Sequence, residues 1–244
     1  CLHWRTMRAG RIRPLALAVA LANAADSGMT PRRWSGQSGQ ASISEMSHRA
    51  DDPVYWDNLY SLQGEHGRNS FEWYGIGYNE LRSRLLHFLR PHDKVLVVGS
   101  GDSDLSANMA NEGYNVTSVD FSEAIVAMMK ARHPDLAWLA MDARNLSLGS
   151  GQFAAVLDKG LSDCLQEEDL PGYFQELKRV AYSEGGTLLV VSHKHLQAEH
   201  FGDQWQCEPE EVLQGPLFVE VSPLSPPSAV SGTDVPYQLT ICRT

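Results

Sequence analysis

The stretch from Lys94 to Asp120 constrains the fold of this chain more than any other part of the sequence. It contains an apolar run, a turn with two glycines, a helical segment, a second apolar run and a terminal acid. This order predicts a βαβ unit whose ligand-binding turn follows the first strand. We expect the first strand at Val95–Val98, the turn at Gly99–Gly101, a helix from Ser103 to about Glu112 and the second strand at Asn115–Val119.

The turn Gly99-Ser100-Gly101 predicts a site for a cofactor that contains a nucleoside. Glycine has no Cβ, so the backbone can turn tightly and a ligand can approach it closely. Asp120 ends the second strand, where its carboxylate can accept hydrogen bonds from the two hydroxyls of a ribose.

The residues around the turn favour S-adenosylmethionine over a dinucleotide. A dinucleotide fingerprint places a third glycine where the helix packs on the strand, and Asp104 occupies that position here. Asp102 lies in the turn region and would repel a pyrophosphate. S-adenosylmethionine carries a sulfonium and an amino group but no phosphate, so acidic residues favour its binding.

Acids also end the next two predicted strands. Asp142 follows the strand Leu136–Ala140, and Asp158 follows the strand Phe153–Leu157. Open α/β sheets bind ligands at the carboxyl ends of their strands. We therefore expect Asp142, with the amide of Ala143, at the adenine edge and Asp158 near the amino acid moiety of the cofactor. The alternative is that these acids only cap the helices that follow them.

The rest of the chain from residue 51 to 244 predicts one α/β domain with a mostly parallel sheet. A short helix beginning at Pro53 is expected to open it, and Thr187–Ser192 is expected to be the fifth strand. Leu217–Val221 and Val235–Cys242 alternate like paired strands and predict a terminal antiparallel hairpin.

Residues 1–50 are predicted to be a basic leader outside the fold. They contain seven arginines, no lysine and two acids, which is typical of a mitochondrial transit peptide. Two alternatives remain open. The apolar run that begins at Leu15 is compatible with a secretory signal, and Met46 is a credible start for a cytoplasmic protein.

Composition and charge exclude other classes of function. The net charge of −10 argues against nucleic acid as the main partner, and no apolar run is long enough to cross a membrane. The four cysteines are scattered, so we expect buried free thiols rather than a disulfide framework or a zinc site. His193, His195 and His200 are expected in a solvated loop, and no metal site is predicted.

Four motifs resemble the seven-strand, methyltransferase-like family that acts on protein lysines: VLVVGSGDSDLS, NVTSVDFSEAIVAMM, MDARNL and FAAVLDKGLSDCL. YWDNLY and FEWYG resemble the amino-terminal extension of that family. The resemblance implies a Rossmann-like, seven-stranded class I methyltransferase sheet, S-adenosyl-L-methionine as cofactor and a protein lysine as methyl acceptor. The candidate acceptors are citrate synthase and elongation factor 1-alpha, and the pairing of GYNEL with DARNL tilts the prediction towards citrate synthase.

The resemblance also implies a set of site residues. Two positions depart from the family: Ser100 replaces the more usual Cys, and Leu161 stands where Thr is usual, although Asp163 keeps the acid that follows. The residues predicted to bind the cofactor are Gly99, Ser100, Gly101, Ser103, Asp120, Phe121, Asp142, Ala143 and Asp158.

Methyl transfer requires a neutral amine aligned with the methyl–sulfur bond. The pKa of lysine, near 10.4, falls when the amine is desolvated. We predict that Trp73 and Tyr74 wall the lysine channel and that Asp158 orients the amine or the cofactor. Lys159 is expected to be a structural ion-pair partner.

Three alternative functions remain. The acceptor could be a small molecule or a protein N-terminus, because the segment His193–Glu211 could recognise either. The domain could also be a non-catalytic scaffold, for which Leu161 gives some reason. A nicotinamide oxidoreductase is the least favoured because the third glycine is absent.

Overall fold

The computed structural model describes residues 54–58, 60, 70–203, 205–208, 211–219 and 228–244. The predicted leader (1–50) and the glycine-rich turn after residue 60 lie outside the described residues. Residues 54–58 and 60 are helical, in agreement with the helix predicted there. No helix in the described part of the chain is long and apolar enough to cross a membrane.

Helices and strands alternate along the chain, as the sequence predicts. The helices are α1 (Tyr78–Phe88), α2 (Leu105–Asn111), α3 (Glu123–Arg132), α4 (Leu161–Cys164), α5 (Leu170–Val180) and α6 (Ala198–Phe201), and a 3-10 turn occupies Trp73–Gly75. The strands are β1 (Lys94–Val98), β2 (Asn115–Asp120), β3 (Ala137–Ala140), β4 (Ala155–Lys159), β5 (Thr187–Ser192), β6 (Gln206–Cys207), β7 (Glu211–Val219) and β8 (Ser228–Arg243).

The strands form one mixed sheet in the order β3-β2-β1-β4-β5-β8-β6, and β7 also pairs with β8. Strands β1 to β5 are parallel to their neighbours, whereas β8 runs antiparallel to β5, β6 and β7. The predicted class I architecture with a terminal antiparallel hairpin is confirmed. Within the residues that the structure describes, the sheet has eight strands instead of seven, because the short β6 pairs with the end of β8 before β7 begins.

Both faces of the sheet are covered, which explains why its central strands are apolar throughout. Val95 and Val97 of β1 pack in one core, and Leu96 and Val98 pack in the other, because successive side chains of a strand point to opposite faces. The first core includes Leu81 and Leu85 of α1 with Leu105 and Met109 of α2. The second includes Leu170, Phe174 and Leu177 of α5.

The prediction of free cysteines is wrong for two of them. Cys207 and Cys242 are paired in register on β6 and β8, with their Cα atoms 3.9 Å apart, and they form a disulfide. The two residues are 35 positions apart in sequence, so only the antiparallel pairing reveals that they are neighbours. Cys164 is a free thiol.

Candidate active site

The glycine turn follows β1 and lies at the carboxyl edge of the parallel strands. Gly99 and Gly101 have φ angles of +57° and +52°, in the left-handed region that favours glycine. A Cβ on Gly99 would lie 2.7 Å from the Cβ of Leu161, and one on Gly101 would lie 2.9 Å from the hydroxyl of Tyr60. A side chain larger than hydrogen at either position would therefore collide with Leu161 or with Tyr60.

Asp120, at the end of β2, holds this turn in place. The amide of Gly101 donates to one carboxylate oxygen at 2.9 Å, and the amide of Ser122 donates to the other at 3.0 Å. Burial raises the pKa of Asp120 to about 6 although these amides oppose the shift. Each oxygen retains a further lone pair, so ribose hydroxyls could still bind to it.

The loop after Asp120 begins helix α3 and connects to the amino-terminal segment. Phe121 is partly exposed beside the acid, and the Ser122 hydroxyl caps α3 by accepting from the amide of Ile125 at 3.3 Å. Ser122 also donates to Asp57 at 2.5 Å, and the amide of Ala124 donates to the same carboxylate oxygen at 3.2 Å. The helical segment at residues 54–60 is thus attached next to the predicted ribose site.

Asp142 follows β3 and is more open to solvent than Asp120. Its carboxylate accepts hydrogen bonds from the side chain of Arg144, the shortest at 2.8 Å, and from the amide of the same residue at 2.9 Å. Burial opposes the shift, but these bonds hold the pKa of Asp142 below its ordinary value. Ala143 beside it is buried. Asp142 therefore lies as an ionised acceptor on the same edge of the sheet.

Asp158, at the end of β4, is enclosed by protein groups. Its side chain has 0% exposure. It accepts hydrogen bonds from the amides of Leu161 and Ser162 at 2.8 and 3.1 Å and from the hydroxyl of Tyr173 at 2.9 Å. Burial, aided by the charge of Asp163, raises the pKa of Asp158 to about 7. In this structure Asp158 holds the backbone after β4, and its predicted contact with the cofactor or the amine stays a prediction.

A buried ion pair joins the end of β4 to the glycine turn. Lys159 pairs with Glu72 and donates to the hydroxyl of Ser103 at 3.3 Å. Glu72 also accepts from the Ser103 hydroxyl at 2.7 Å and from the Asp104 amide at 3.0 Å. The hydroxyl of Ser103 is therefore engaged within the protein. The expected structural role of Lys159 is in keeping with these contacts, and Glu72 is a residue that the sequence analysis missed.

The aromatic residues of the segment before α1 lie beside this network. Trp73 is partly buried and packs edge-to-face on Phe71 and Trp56, with ring centroids 5.2 and 6.2 Å apart. Tyr74 is buried, has a φ of +66°, and stacks on Tyr237 of β8 at 4.4 Å. The two residues predicted to wall a channel are therefore adjacent to the site, with Trp73 the more accessible.

Asp163 binds the residues on the side of the site where the methyl acceptor is expected, which we call the acceptor side. Its carboxylate accepts hydrogen bonds from the hydroxyls of Tyr74 and Ser192 and from the amide of His193 at 3.0 Å. Although burial opposes the shift, hydrogen bonds from His193, Ser192 and Tyr74 keep the pKa of Asp163 below its ordinary value. In the sequence, Asp163 stood out only as the acid that the resemblance to the family places two residues after Leu161.

Comparison with known proteins identifies the domain. Residues 95–185 match the family model described as a methyltransferase domain. This part of the chain, from β1 to the turn before β5, is therefore similar to known methyltransferase domains. The predicted methyltransferase domain and its S-adenosylmethionine cofactor are thereby confirmed. The matched residues run from β1 to the turn before β5, so they include the glycine turn and three of the predicted acids.

The chain is also similar in sequence to individual methyltransferases. The chain is 37% identical over 164 residues to the eEF1A lysine and N-terminal methyltransferase of Danio rerio, covering 62% of this chain and 23% of that protein. It is 44% identical over 115 residues to EEF1A lysine methyltransferase 4 of Bos taurus, covering 46% of this chain and 44% of that protein. The chain thus spans less than half the length of either relative.

A solved structure agrees on the fold. The SAM-dependent methyltransferase from Methanosarcina mazei superposes with a TM-score of 0.52 at 15% sequence identity, covering 66% of this chain and 96% of that one. At this identity the similarity supports the architecture of the sheet and says nothing about the acceptor.

Proposed function

We propose that this chain transfers the methyl group of S-adenosylmethionine to a lysine side chain of elongation factor 1-alpha. The observation that carries the proposal is the arrangement at the carboxyl edge of the sheet. There the glycine turn, pinned by Asp120, is joined through Glu72 to the segment that carries Trp73 and Tyr74. A cofactor site and an apolar wall for an amine therefore lie side by side.

The residues of the chain fit the cofactor. The turn has no room for a Cβ at Gly99 or Gly101, and the acids Asp120 and Asp142 stand at the ends of adjacent parallel strands. S-adenosylmethionine supplies a methyl group already activated by a sulfonium. The protein then has to align the amine with that group, exclude water and favour the neutral amine.

Elongation factor 1-alpha is proposed as the acceptor because both relatives described above are named for it. The name of the Danio rerio relative includes both a lysine and an N-terminus, so an N-terminal amine stays an alternative acceptor. Citrate synthase, towards which the sequence motifs tilted, also stays a prediction. The acidic composition of the chain, with a net charge of −10, suits a protein partner with a basic surface.

The choice of acceptor is linked to localisation. A mitochondrial transit peptide in residues 1–50 goes together with citrate synthase, and a cytoplasmic protein that starts at Met46 goes together with elongation factor 1-alpha. A fusion of residues 1–50 to a fluorescent reporter distinguishes them. A mitochondrial signal supports the transit peptide, and a diffuse signal contradicts it.

A non-catalytic scaffold is the second candidate function, and Leu161 is the observation that favours it. This residue replaces the usual Thr, and its Cβ lies where a Cβ on Gly99 would clash. Its side chain is therefore next to the turn. A scaffold of this kind would keep the fold without transferring a methyl group.

The decisive experiment has two steps. Calorimetry first measures binding of S-adenosylmethionine to the full chain, with NAD as the comparison ligand. Radiolabelled methyl transfer into cytoplasmic and mitochondrial extracts then identifies the labelled protein and residue. We expect label on elongation factor 1-alpha and at least a tenfold loss with Trp73→Ala. Label on citrate synthase instead would overturn the acceptor, and cofactor binding without any label would favour the scaffold.

A further inference from the structure

His193, which the sequence analysis placed in a solvated loop, is held against the buried carboxylate of Asp163. It directly follows β5, whereas Asp163 lies in α4 directly after β4, and these strands are neighbours in the sheet. Nδ1 of His193 lies 3.0 Å from an Asp163 oxygen, and the His193 amide donates to the same oxygen at 3.0 Å. Both the ring and the backbone of this histidine are therefore fixed by one acid.

The two side chains differ sharply in exposure. The side chain of Asp163 is 4% exposed, while that of His193 is 56% exposed. Because Nδ1 faces the carboxylate, Nε2 lies on the opposite side of the ring. A carboxylate that binds Nδ1–H fixes the tautomer in which Nε2 has a free lone pair and stabilises the imidazolium that forms on protonation.

The charged and titratable groups around the ring are compatible with this role. Tyr74 contacts His193 edge-to-face with centroids 6.4 Å apart, and Tyr237 stacks behind Tyr74. Lys194 does not compete for the acid with its ammonium, which donates to the carbonyl oxygens of Ser162 and Leu165 at 3.4 and 3.0 Å. The amide of Lys194 donates to Asp163 at 3.3 Å and helps to hold the loop.

The position on the sheet supplies the second argument. The cofactor residues lie after β1, β2 and β3, and His193 lies after β5 on the same carboxyl edge, separated from them by β4. Tyr74, one of the two aromatic residues predicted to wall the lysine channel, contacts both Asp163 and the His193 ring. The exposed imidazole is therefore next to where the acceptor amine is proposed to enter.

We infer that His193 is the base that takes a proton from the substrate ammonium before methyl transfer, with Asp163 as its positioning residue. This inference rests on the proposed function. An N–H bond of the ammonium breaks and its proton goes to Nε2, which leaves a neutral amine and an imidazolium. The amine nitrogen then bonds to the methyl carbon while the carbon–sulfur electron pair goes to sulfur. The imidazolium afterwards releases its proton to solvent.

Such a base answers a specific chemical need. A lysine ammonium with an ordinary pKa near 10.4 is almost entirely protonated at neutral pH, whereas imidazoles as a class titrate near 6.5. A base positioned within hydrogen-bond reach typically raises the rate by about 10²-fold to 10⁴-fold. A simple structural contact between the loop and Asp163 would give the wild type and a variant without the imidazole pH profiles of the same shape.

The test compares the pH profile of kcat/KM for the full chain and for His193→Gln, with S-adenosylmethionine and elongation factor 1-alpha as substrates. We expect a loss of about 100-fold at pH 7. The wild-type rate should level off at a lower pH than the rate of the variant, which should keep rising towards the pKa of the free amine. His195→Gln, two residues along in the same loop, is the matched control and should keep the wild-type profile.

Two further measurements separate a base from a structural contact. Free imidazole should restore part of the activity of His193→Ala, because the side chain it replaces is more than half exposed. Asp163→Asn should lower kcat more than it raises KM and should change the pH profile. Retained cofactor binding shows that this variant is folded.

The outcomes also separate this inference from the proposed function. Methyl transfer by the wild type with an unchanged pH profile in His193→Gln overturns the inference alone. A loss in that variant that is equal at every pH, without rescue by imidazole, also overturns it. Absence of methyl transfer by the wild type would overturn the proposed function and this inference with it.

Discussion

The cofactor side and the acceptor side of the site are built from different kinds of sequence. The glycine turn and Asp120 come from one continuous βαβ stretch, Lys94 to Asp120, and are joined directly by the hydrogen bond from Gly101. On the acceptor side, Asp163 accepts hydrogen bonds from Tyr74 in one distant segment and from Ser192 and His193 in another. A site built locally can be recognised from a motif, whereas one built from distant segments depends on the whole sheet.

The acids on the two sides of the site also differ in their pKa values. Asp120 and Asp158 are buried and have raised pKa values, of about 6 and about 7. Asp142 and Asp163 have lowered pKa values, because the hydrogen bonds from Arg144 and from the Asp163 partners outweigh burial. Each side of the site thus combines one acid whose pKa is raised with one acid whose pKa is lowered.

The largest expected effect tests the cofactor side. Gly99→Ala should destabilise the protein by about 3 kcal/mol and prevent cofactor binding, because it combines a left-handed φ with a Cβ 2.7 Å from Leu161. Urea denaturation and calorimetry with S-adenosylmethionine measure the two effects. Gly185→Ala is the matched control: φ is +72° but no atom lies within 4 Å, so only about 1 kcal/mol of backbone strain is expected. Equal losses in the two variants would contradict the steric argument.

A smaller effect tests the link between the two sides. Glu72→Gln should cost about 2 kcal/mol, because it leaves the buried ammonium of Lys159 without its carboxylate. The double variant Glu72→Gln/Lys159→Met should recover part of the loss, as measured by denaturation in a double-mutant cycle. Glu112→Gln removes an exposed pair with Arg82 and should cost less than about 0.5 kcal/mol. Additive losses in the double variant would show that the pair does not couple the two segments.

The smallest effect tests the acids of the acceptor side through pH. Asp158 has a folded pKa raised from 3.8 to about 7, so its contribution to stability is present below pH 3.8 and is lost as pH rises to about 7. Asp163 has a folded pKa below 3.8, so its contribution is present above that pH and is lost as pH falls further.

Relative to the wild type, the free energy of unfolding of Asp158→Asn should therefore be about 1 kcal/mol higher at pH 8 than at pH 4. Asp163→Asn should lower the free energy of unfolding by about 1 kcal/mol at pH 7. This loss should shrink as the pH falls below the ordinary pKa of an aspartate side chain. Urea denaturation as a function of pH measures both. Parallel curves for the two variants would contradict the assigned directions.

Much of the fold follows from local patterns. The apolar runs predict β1, β2 and β5 within a residue or so, and the helical spacing predicts α5, because these signals depend only on the burial of alternate or periodic residues. The hairpin is longer than predicted, Glu211–Val219 and Ser228–Arg243 instead of Leu217–Val221 and Val235–Cys242. Its polar residues are paired by backbone hydrogen bonds, which side-chain patterns do not report.

The predicted site residues show a similar division. The positions of Gly99, Gly101 and Asp120 follow from the motif, and the roles predicted for them in cofactor binding stay predictions. Asp158 was expected to face a ligand because it ends a strand, yet the amides of Leu161 and Ser162 and the hydroxyl of Tyr173 enclose it. Tyr173 comes from α5, so its contact with the acid depends on how that helix packs on the sheet.

The βαβ stretch by itself determined the class of fold and the class of cofactor. Gly99, Gly101 and Asp120 are close in sequence, and their geometry follows from one strand, one turn and the next strand. Only the tertiary structure decided that Cys207 meets Cys242, that Glu72 meets Lys159 and that Asp163 holds His193. Each of these pairs joins segments far apart in the chain, and contacts of that kind form only when the strands take their order in the sheet.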